Sequence, residues 1–257
     1  MLKSPLKYAG GKRTLVPRLL ELYAPHRSRR LVEPFVGGMN VALGLQPTRA
    51  LLCDVNPHLM NFWKHLSKGE NFTIDMQNDE KFYYRCRESF NTLISLGWSQ
   101  SSVGAELFYY LNRTGFNGLC RFNKSGKFNV PFGRYKTITY RRDFSEYLES
   151  LRSWDLACCR FDDVLPELDD WIYLDPPFHG TFTDYSAGGF DWADQEALAK
   201  KFSNHPGPVV ASNAATPQIL ELYQDLGFKI EMLDSRRSIA ANGNRNRAQE
   251  MLATKNV

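Results

Sequence analysis

The sequence predicts an α/β fold: a Rossmann-like sheet whose last strand runs antiparallel, with a helical lobe inserted after the second strand. Three observations carry this. Short apolar runs alternate with stretches of helical periodicity, the pattern of βαβ units. That alternation breaks between about residues 70 and 145 and then resumes. Asn242-Gly243, a tight-hairpin signal, lies between Ile230–Leu233 and Met251–Thr254 and turns the chain back into a last antiparallel strand.

In chain order, an amphipathic helix over about 14–23 leads into a strand at 30–34. A helix from about 40, a strand at 50–54 and a helix from Pro57 to about Lys68 follow. The break is helix-rich, with Glu80 to Leu96 and Val103 to Asn112, and ends in a glycine-punctuated basic hairpin. Then come strands at 156–161 and 171–174, a helix at 194–203, a strand at 208–212, a helix at 216–226 and a strand at 228–233. Thr216-Pro217 is a good helix start, with Thr as cap and Pro at the first helical position. A chain of 257 residues is long enough for a full α/β core and a small inserted lobe.

The most informative stretch is Trp171-Ile172-Tyr173-Leu174, an apolar run that ends in Asp175-Pro176-Pro177-Phe178. A carboxylate, two rigid prolines and a planar ring at the carboxyl end of a buried strand suit a grip on the exocyclic amino group of a nucleobase. Asp175 and the Pro176 carbonyl are acceptors for the two amino hydrogens, and Phe178 offers a face to the base. Proline fixes φ at about −65°, so that carbonyl is aimed in advance. The amino nitrogen is a poor nucleophile while its lone pair is conjugated into the ring. Accepting both hydrogens moves it toward tetrahedral geometry and aims the lone pair at an electrophile. The plainer reading is a strand running into a Pro-Pro loop, with Phe178 as core filler.

Leu31-Val32-Glu33-Pro34-Phe35-Val36-Gly37-Gly38-Met39-Asn40 reads as strand, glycine loop and helix start. Such glycines let the backbone approach a ligand where open α/β sheets bind nucleosides. The loop matches neither Gly-x-Gly-x-x-Gly nor a Gly-Lys-Ser/Thr phosphate loop, so a phosphate ligand is not indicated. About twenty residues on, Ala50-Leu51-Leu52-Cys53-Asp54 ends in an acid at a spacing suited to ribose hydroxyls. Asp54 could equally cap the helix that Pro57 opens. Lys7-Tyr8-Ala9-Gly10-Gly11-Lys12 is either a basic arm or a segment folding back over an amino-acid moiety. In the second case Lys12 reaches its carboxylate and Tyr8 packs on it.

Charge is unevenly placed. Leu107 to Arg142 holds eight Lys/Arg and no Asp/Glu, together with nine aromatics and four glycines, in a chain whose net charge is +4. Cations interleaved with rings suit phosphates and bases. The five cysteines lack metal-ligand spacing and are expected as buried, reduced thiols, and the scattered histidines show no metal cluster. His179 lies beside the tetrad but in a loop start, which does not favour a general-base role. No signal peptide and no membrane-spanning apolar stretch are evident, so a cytoplasmic protein is expected.

Taken in order, Lys-Tyr-Ala-Gly-Gly-Lys, Glu-Pro-Phe-Val-Gly-Gly, Asp54 and Asp-Pro-Pro-aromatic resemble the S-adenosylmethionine-dependent DNA adenine-N6 methyltransferases of the Dam type. The resemblance runs through Asn112-Arg113-Thr114-Gly115-Phe116-Asn117-Gly118-Leu119-Cys120-Arg121-Phe122-Asn123 and Gly126 to Tyr135. It continues in Ser212-Asn213 and in residues 236–243, covering nearly the whole chain. It implies a methyltransferase sheet formed by residues 1–56 and 146–257, with residues 57–145 as an inserted DNA-recognition domain. It implies S-adenosylmethionine as methyl donor, with no metal, and double-stranded DNA containing GATC as substrate for a monomeric enzyme. Tyr8, Lys12, Phe35, Gly37, Asp54 and Asp175 match cofactor-contacting positions, and Asp175, Pro176, Pro177 and Phe178 match the amino-group clamp. Arg121, Leu119, Pro131 and Lys7 match positions facing base edges, Asn117 a phosphate contact, and Phe116 the aromatic that fills the gap left by an extruded adenine. Two departures stand out: Phe178 replaces the family's usual Tyr, and Met39 stands where many relatives have a glycine. The clamp chemistry alone would also serve a cytosine-N4 or RNA amino methyltransferase, and the basic lobe alone a non-catalytic DNA-binding protein.

Overall fold

The computed structural model describes residues 2–179, 189–235 and 248–257. Among these, seven strands form one sheet: β1 (Leu31–Glu33), β2 (Ala50–Asp54), β3 (Trp154–Cys158), β4 (Trp171–Leu174), β5 (Val209–Ala214), β6 (Lys229–Ser235) and β7 (Ala248–Lys255). Their order is β3-β2-β1-β4-β5-β7-β6. The first five pair in parallel, and β7 inserts antiparallel between β5 and β6. The Rossmann-like sheet with an antiparallel last strand is therefore as expected. The Asn242-Gly243 signal and the rest of residues 236–243 lie outside the described residues.

The central strands β1, β4 and β5 are buried along their whole length, because helices cover both faces. Alternation along each strand then divides its side chains between two cores. Val32, Ile172, Leu174, Val209 and Ala211 face one side, where they meet α7 (Trp192–Ser203) and α8 (Pro217–Asp225) through Leu198, Phe202, Ile219 and Tyr223. Leu31, Trp171, Tyr173 and Val210 face the other, toward α1 (Val16–Tyr23), α2 (Asn40–Leu45) and α3 (Pro57–Ser67). That second core runs on without a break into α4 (Glu80–Ser95), α5 (Ser102–Thr114) and the hairpin residues Phe128 and Val130. The stretch between β2 and β3 thus grows out of one face of the sheet.

Helix starts follow local chemistry. The side chains of Asn56, Asp79, Ser101 and Thr216 accept backbone N–H groups of the first turns, and Asp191 and Asp194 form a capping box. The cap of α3 is Asn56 and not Asp54, which settles one alternative left open by the sequence. Three other expectations are corrected. The strand expected at 156–161 occupies Trp154–Cys158, since Trp154 is buried with its indole N–H on the Pro47 carbonyl while Arg160 turns out to Asp162 and Asp194. A helix not anticipated, α6 (Ser145–Arg152), precedes it. Of the five free thiols Cys53, Cys86 and Cys120 are buried, but Cys158 is exposed and Cys159 half-buried.

At the amino end of β4, remote from the strands' carboxyl ends, Asp170 is fully buried and receives a two-pronged contact from Arg30 at 3.0 and 2.7 Å. Removing Asp170 leaves the Arg30 guanidinium, 12% exposed, with the half-exposed Glu167 at 3.2 Å as its remaining ion-pair partner. Asp170→Ala is expected to lower unfolding stability by about 3–5 kcal/mol, read as a fall in the urea midpoint.

Candidate active site

The strand order reverses between β1 and β4: β1, β2 and β3 extend one way, β4 and β5 the other. A ligand crevice opens at such a point, beyond the carboxyl ends of the strands. Glu33 ends β1 there, and Asp175 follows β4 directly.

Asp175, with its side chain 19% exposed, is held from two directions. Lys12 Nζ lies 2.9 Å from Oδ1, and Ser212 Oγ donates to the same oxygen at 2.9 Å. Burial pushes the Asp175 pKa up, and Lys12 and then Ser212 pull it back. Lys12 also donates to the Gly10 carbonyl at 2.9 Å and stands 4.3 Å from the centre of the Phe178 ring. The rest of the tetrad is fastened from β5 and α7. Pro177 O accepts from Gln195 Nε2 at 2.8 Å, Gln195 Oε1 accepts from Asn213 Nδ2 at 2.9 Å, and Asn213 Oδ1 accepts the His179 N–H at 3.2 Å. The His179 ring packs edge-on to Trp192 with Nδ1 3.3 Å from the Thr216 hydroxyl, an anchoring arrangement.

The glycine loop brings the remaining residues together. Gly37 has φ +48°, and a Cβ there would stand 2.9 Å from the Tyr8 ring, so Tyr8 lies directly on the loop. The Gly37 N–H donates to Asp54 Oδ2 at 3.0 Å, and the Asn56 N–H to Oδ1 at 2.9 Å. Burial nevertheless pushes the Asp54 carboxyl up to about 6. Phe35 stacks on Phe161 with ring centres 5.9 Å apart and meets Phe190 edge-on. Met39 adopts the left-handed conformation, φ +56°, and is completely buried. The backbone cost of about 1–2 kcal/mol is offset by burying the side chain, which contributes about 1.5–3 kcal/mol.

One member of the site was not anticipated. Glu33 is 2% exposed, and its Oε1 has no hydrogen-bond partner among the described residues. Burial and the Asp175 charge push its pKa well above the ordinary range. A buried unpaired acceptor is costly and marks a place built to receive a donor. The signal was present in the sequence as an acid inside the apolar run 31–36.

The second set of residues lies on the loop and hairpin after α5. Antiparallel bridges Gly115–Phe132 and Phe122–Phe128 define the hairpin, and Asn123 closes its tip by accepting from Ser125 and Lys127. Phe116, Asn117, Arg121 and Pro131 are exposed and Leu119 half-buried. The Phe116 N–H donates to Pro131 O at 2.9 Å, which sets those two side by side. Arg121 Nε donates to Asn129 Oδ1 at 2.8 Å, so a neighbour unmarked in the sequence steadies the guanidinium. Lys7 joins this unit through its backbone: its N–H donates to the Asn112 side-chain Oδ1 at 2.8 Å, and its carbonyl accepts from Asn112 Nδ2 at 2.6 Å. Its ammonium donates to the Arg113 carbonyl and lies 3.5 Å from the Tyr135 ring centre, and burial, then Arg113, lower its pKa to about 8. Gly118, φ +62°, is required there because a Cβ would fall 2.2 Å from that of Lys7. Arg113 is not part of a solvated basic face, for its guanidinium binds the Pro5 and Thr139 carbonyls.

The sequence is similar to those of known proteins. Residues 8–239 match the model of the D12 class N6 adenine-specific DNA methyltransferases. The retron Ec67 DNA adenine methylase of Escherichia coli is 35% identical, covering 96% of this chain and 90% of that protein. The DNA adenine methylase of Vibrio cholerae serotype O1 is 34% identical, covering 96% and 94%. The crystal structure of precorrin-6y C5,15-methyltransferase from Geobacter metallireducens is 10% identical with a TM-score of 0.43, covering 95% and 87%. With a family match over most of its length and relatives above 30% identity, the chain belongs to the D12 class of N6 adenine-specific DNA methyltransferases.

Proposed function

We propose that the chain transfers the methyl group of S-adenosylmethionine to N6 of an adenine extruded from double-stranded DNA at GATC, acting as a monomer in the cytoplasm. Residues 1–56 and 146–257 form the catalytic body in this reading, and 57–145 the recognition insertion. The observation that carries it is the Asp175 carboxylate, secured through Oδ1 by Lys12 and Ser212 at the switch point. The residues present suit the donor. The unpaired Glu33 oxygen fits its ammonium, Lys12 its carboxylate and Asp54 its ribose hydroxyls, while Tyr8, Phe35 and Gly37 line the approach. When bound, S-adenosylmethionine supplies an electrophilic methyl on a sulfonium.

The chain's own residues do the rest. Asp175 and the Pro176 carbonyl accept the two amino hydrogens, and Phe178 stacks on the base. No strong general base is needed, because the proton leaves an already methylated, charged nitrogen. Phe116 occupies the space vacated by the adenine and offsets part of an unstacking cost of a few kcal/mol. Arg121 reads a guanine edge, Leu119 and Pro131 meet a thymine methyl, Lys7 reads a further base and Asn117 holds a phosphate.

Four outcomes test this. Tritiated-methyl transfer should occur on duplexes containing GATC and not on matched duplexes lacking it; modification without a GATC core would refute the specificity. Asp175→Ala should fold yet lose methyl transfer, and turnover above about a tenth of wild type, a barrier change near 1.4 kcal/mol, would sink the clamp. Arg121→Ala should relax one guanine–cytosine pair, a discrimination of about 1–3 kcal/mol, whereas Asn117→Ala weakens all sequences alike. For the donor, the sign follows from Asp54. Its ionised form accepts the ribose hydroxyls, so calorimetric affinity should fall as pH drops below about 6. Asp54→Asn should bind weakly with that pH dependence gone.

A further inference from the structure

We propose that Ser212, seated by Tyr173, is a positioning residue for methyl transfer that fixes the Asp175 carboxylate in its reacting orientation. This rests on Asp175 being the acceptor for the adenine amino group. The hydroxyl of Tyr173 lies 2.9 Å from Ser212 Oγ, and Ser212 Oγ lies 2.9 Å from Asp175 Oδ1. An ionised carboxylate only accepts, and a serine hydroxyl has one hydrogen to give. Ser212 therefore donates to Asp175, and Tyr173 must donate to Ser212. The chain of hydrogen bonds has one direction and ends on the carboxylate. Burial, then the Asp175 charge, keeps the Tyr173 pKa well above the ordinary range, so it stays a donor.

The placement argues against a merely structural pair. Ser212 and Tyr173 are 0% and 1% exposed, on the neighbouring central strands β5 and β4. Alanine and phenylalanine would pack there without polar atoms to satisfy. Ser212 is also the neighbour of Asn213, and successive strand residues point to opposite faces. Asn213 holds Gln195, which holds the Pro177 carbonyl, while Ser212 holds Asp175. Two adjacent residues of β5 thus grip the tetrad from both sides of the sheet.

The electrostatic setting makes Ser212 matter. Asp175 faces Lys12 from the N-terminal arm, Glu33 from β1, Glu250 from β7, and the hydroxyls of Tyr173 and Ser212. Burial and the acids disfavour its charge, and Lys12 with Ser212 favours it. Loss of Ser212 then leaves Lys12 to hold the carboxylate alone, with freer rotation and a harder ionisation.

Steady-state kinetics of Ser212→Ala, Ser212→Thr and Tyr173→Phe across the acid limb decide the matter. Ser212→Ala should lower kcat about ten- to hundredfold, the range of a hydrogen bond to a charged acceptor. The KM values for donor and DNA should stay within about twofold, as for an interaction that matters in the transition state. The acid limb of kcat should move to higher pH, Ser212→Thr should restore most of the rate, and Tyr173→Phe should show a smaller shift of the same sign. If Ser212→Ala fails to fold, Tyr173→Phe carries the test through that shift. Wild-type kcat and an unmoved acid limb in these variants, beside an inactive Asp175→Ala, would overturn the positioning role and leave the acceptor reading intact. An active Asp175→Ala would instead remove the acceptor reading on which it rests.

Discussion

A carboxylate set beyond the carboxyl end of a central strand, largely withdrawn from water, needs a cation, and the rest of the site depends on where that cation comes from. Here it comes from the N-terminal arm, as Lys12 on Asp175. The pair cannot form unless the arm crosses the glycine loop, and that crossing requires Gly37, since Tyr8 lies where a Cβ would stand. The same crossing covers Asp54, which the Gly37 N–H steadies from above. One ion pair thus enforces the path of the arm, the loop and the second carboxylate together.

The carboxyl ends of β1, β2 and β4 each carry an acid at the same end of the sheet: Glu33, Asp54 and Asp175. Burial raises the pKa of all three, and Glu33 and Asp175 repel each other when charged. Such a cluster stabilises nothing on its own. It persists because the two apolar cores over-determine the strands that bear it, and because backbone N–H groups, Lys12 and Ser212 neutralise it in part. Perturbed acids gathered in a cleft are characteristic of functional sites, where stability is given up for complementarity to a ligand.

The legible parts of the sequence were those whose chemistry is local. The Asp175 tetrad, the loop at Gly37, Asp54 and the run from Asn112 to Tyr135 announce themselves by composition and spacing. The hidden parts act across the fold. Ser212-Asn213 stood out by resemblance but its role did not, and Gln195 not at all: they meet the tetrad only because β5 and α7 pack beside β4, and no spacing in the chain measures that distance. Asn129 supports Arg121 only once the hairpin closes. Arg113 read as one more surface cation, yet carbonyls of the arm and of Thr139 draw it inside. The start of β3 was misplaced because an apolar run cannot reveal that parallel register with β2 begins at Trp154. Glu33 was in view, but a lone acid in a strand reveals its environment only when its neighbours are known.

The arm also links the two halves of the molecule. Lys7 is docked on the end of α5 and the loop after it through Asn112 and Gly118, while Lys12, five residues on, grips Asp175 and faces the Phe178 ring. Asn56 makes a second tie, capping α3 beside Asp54 while its side chain donates to Cys120 in the loop after α5. In this architecture, the surface that would meet DNA and the carboxylates that would meet the donor are adjoining regions tied by Lys7, Lys12 and Asn56.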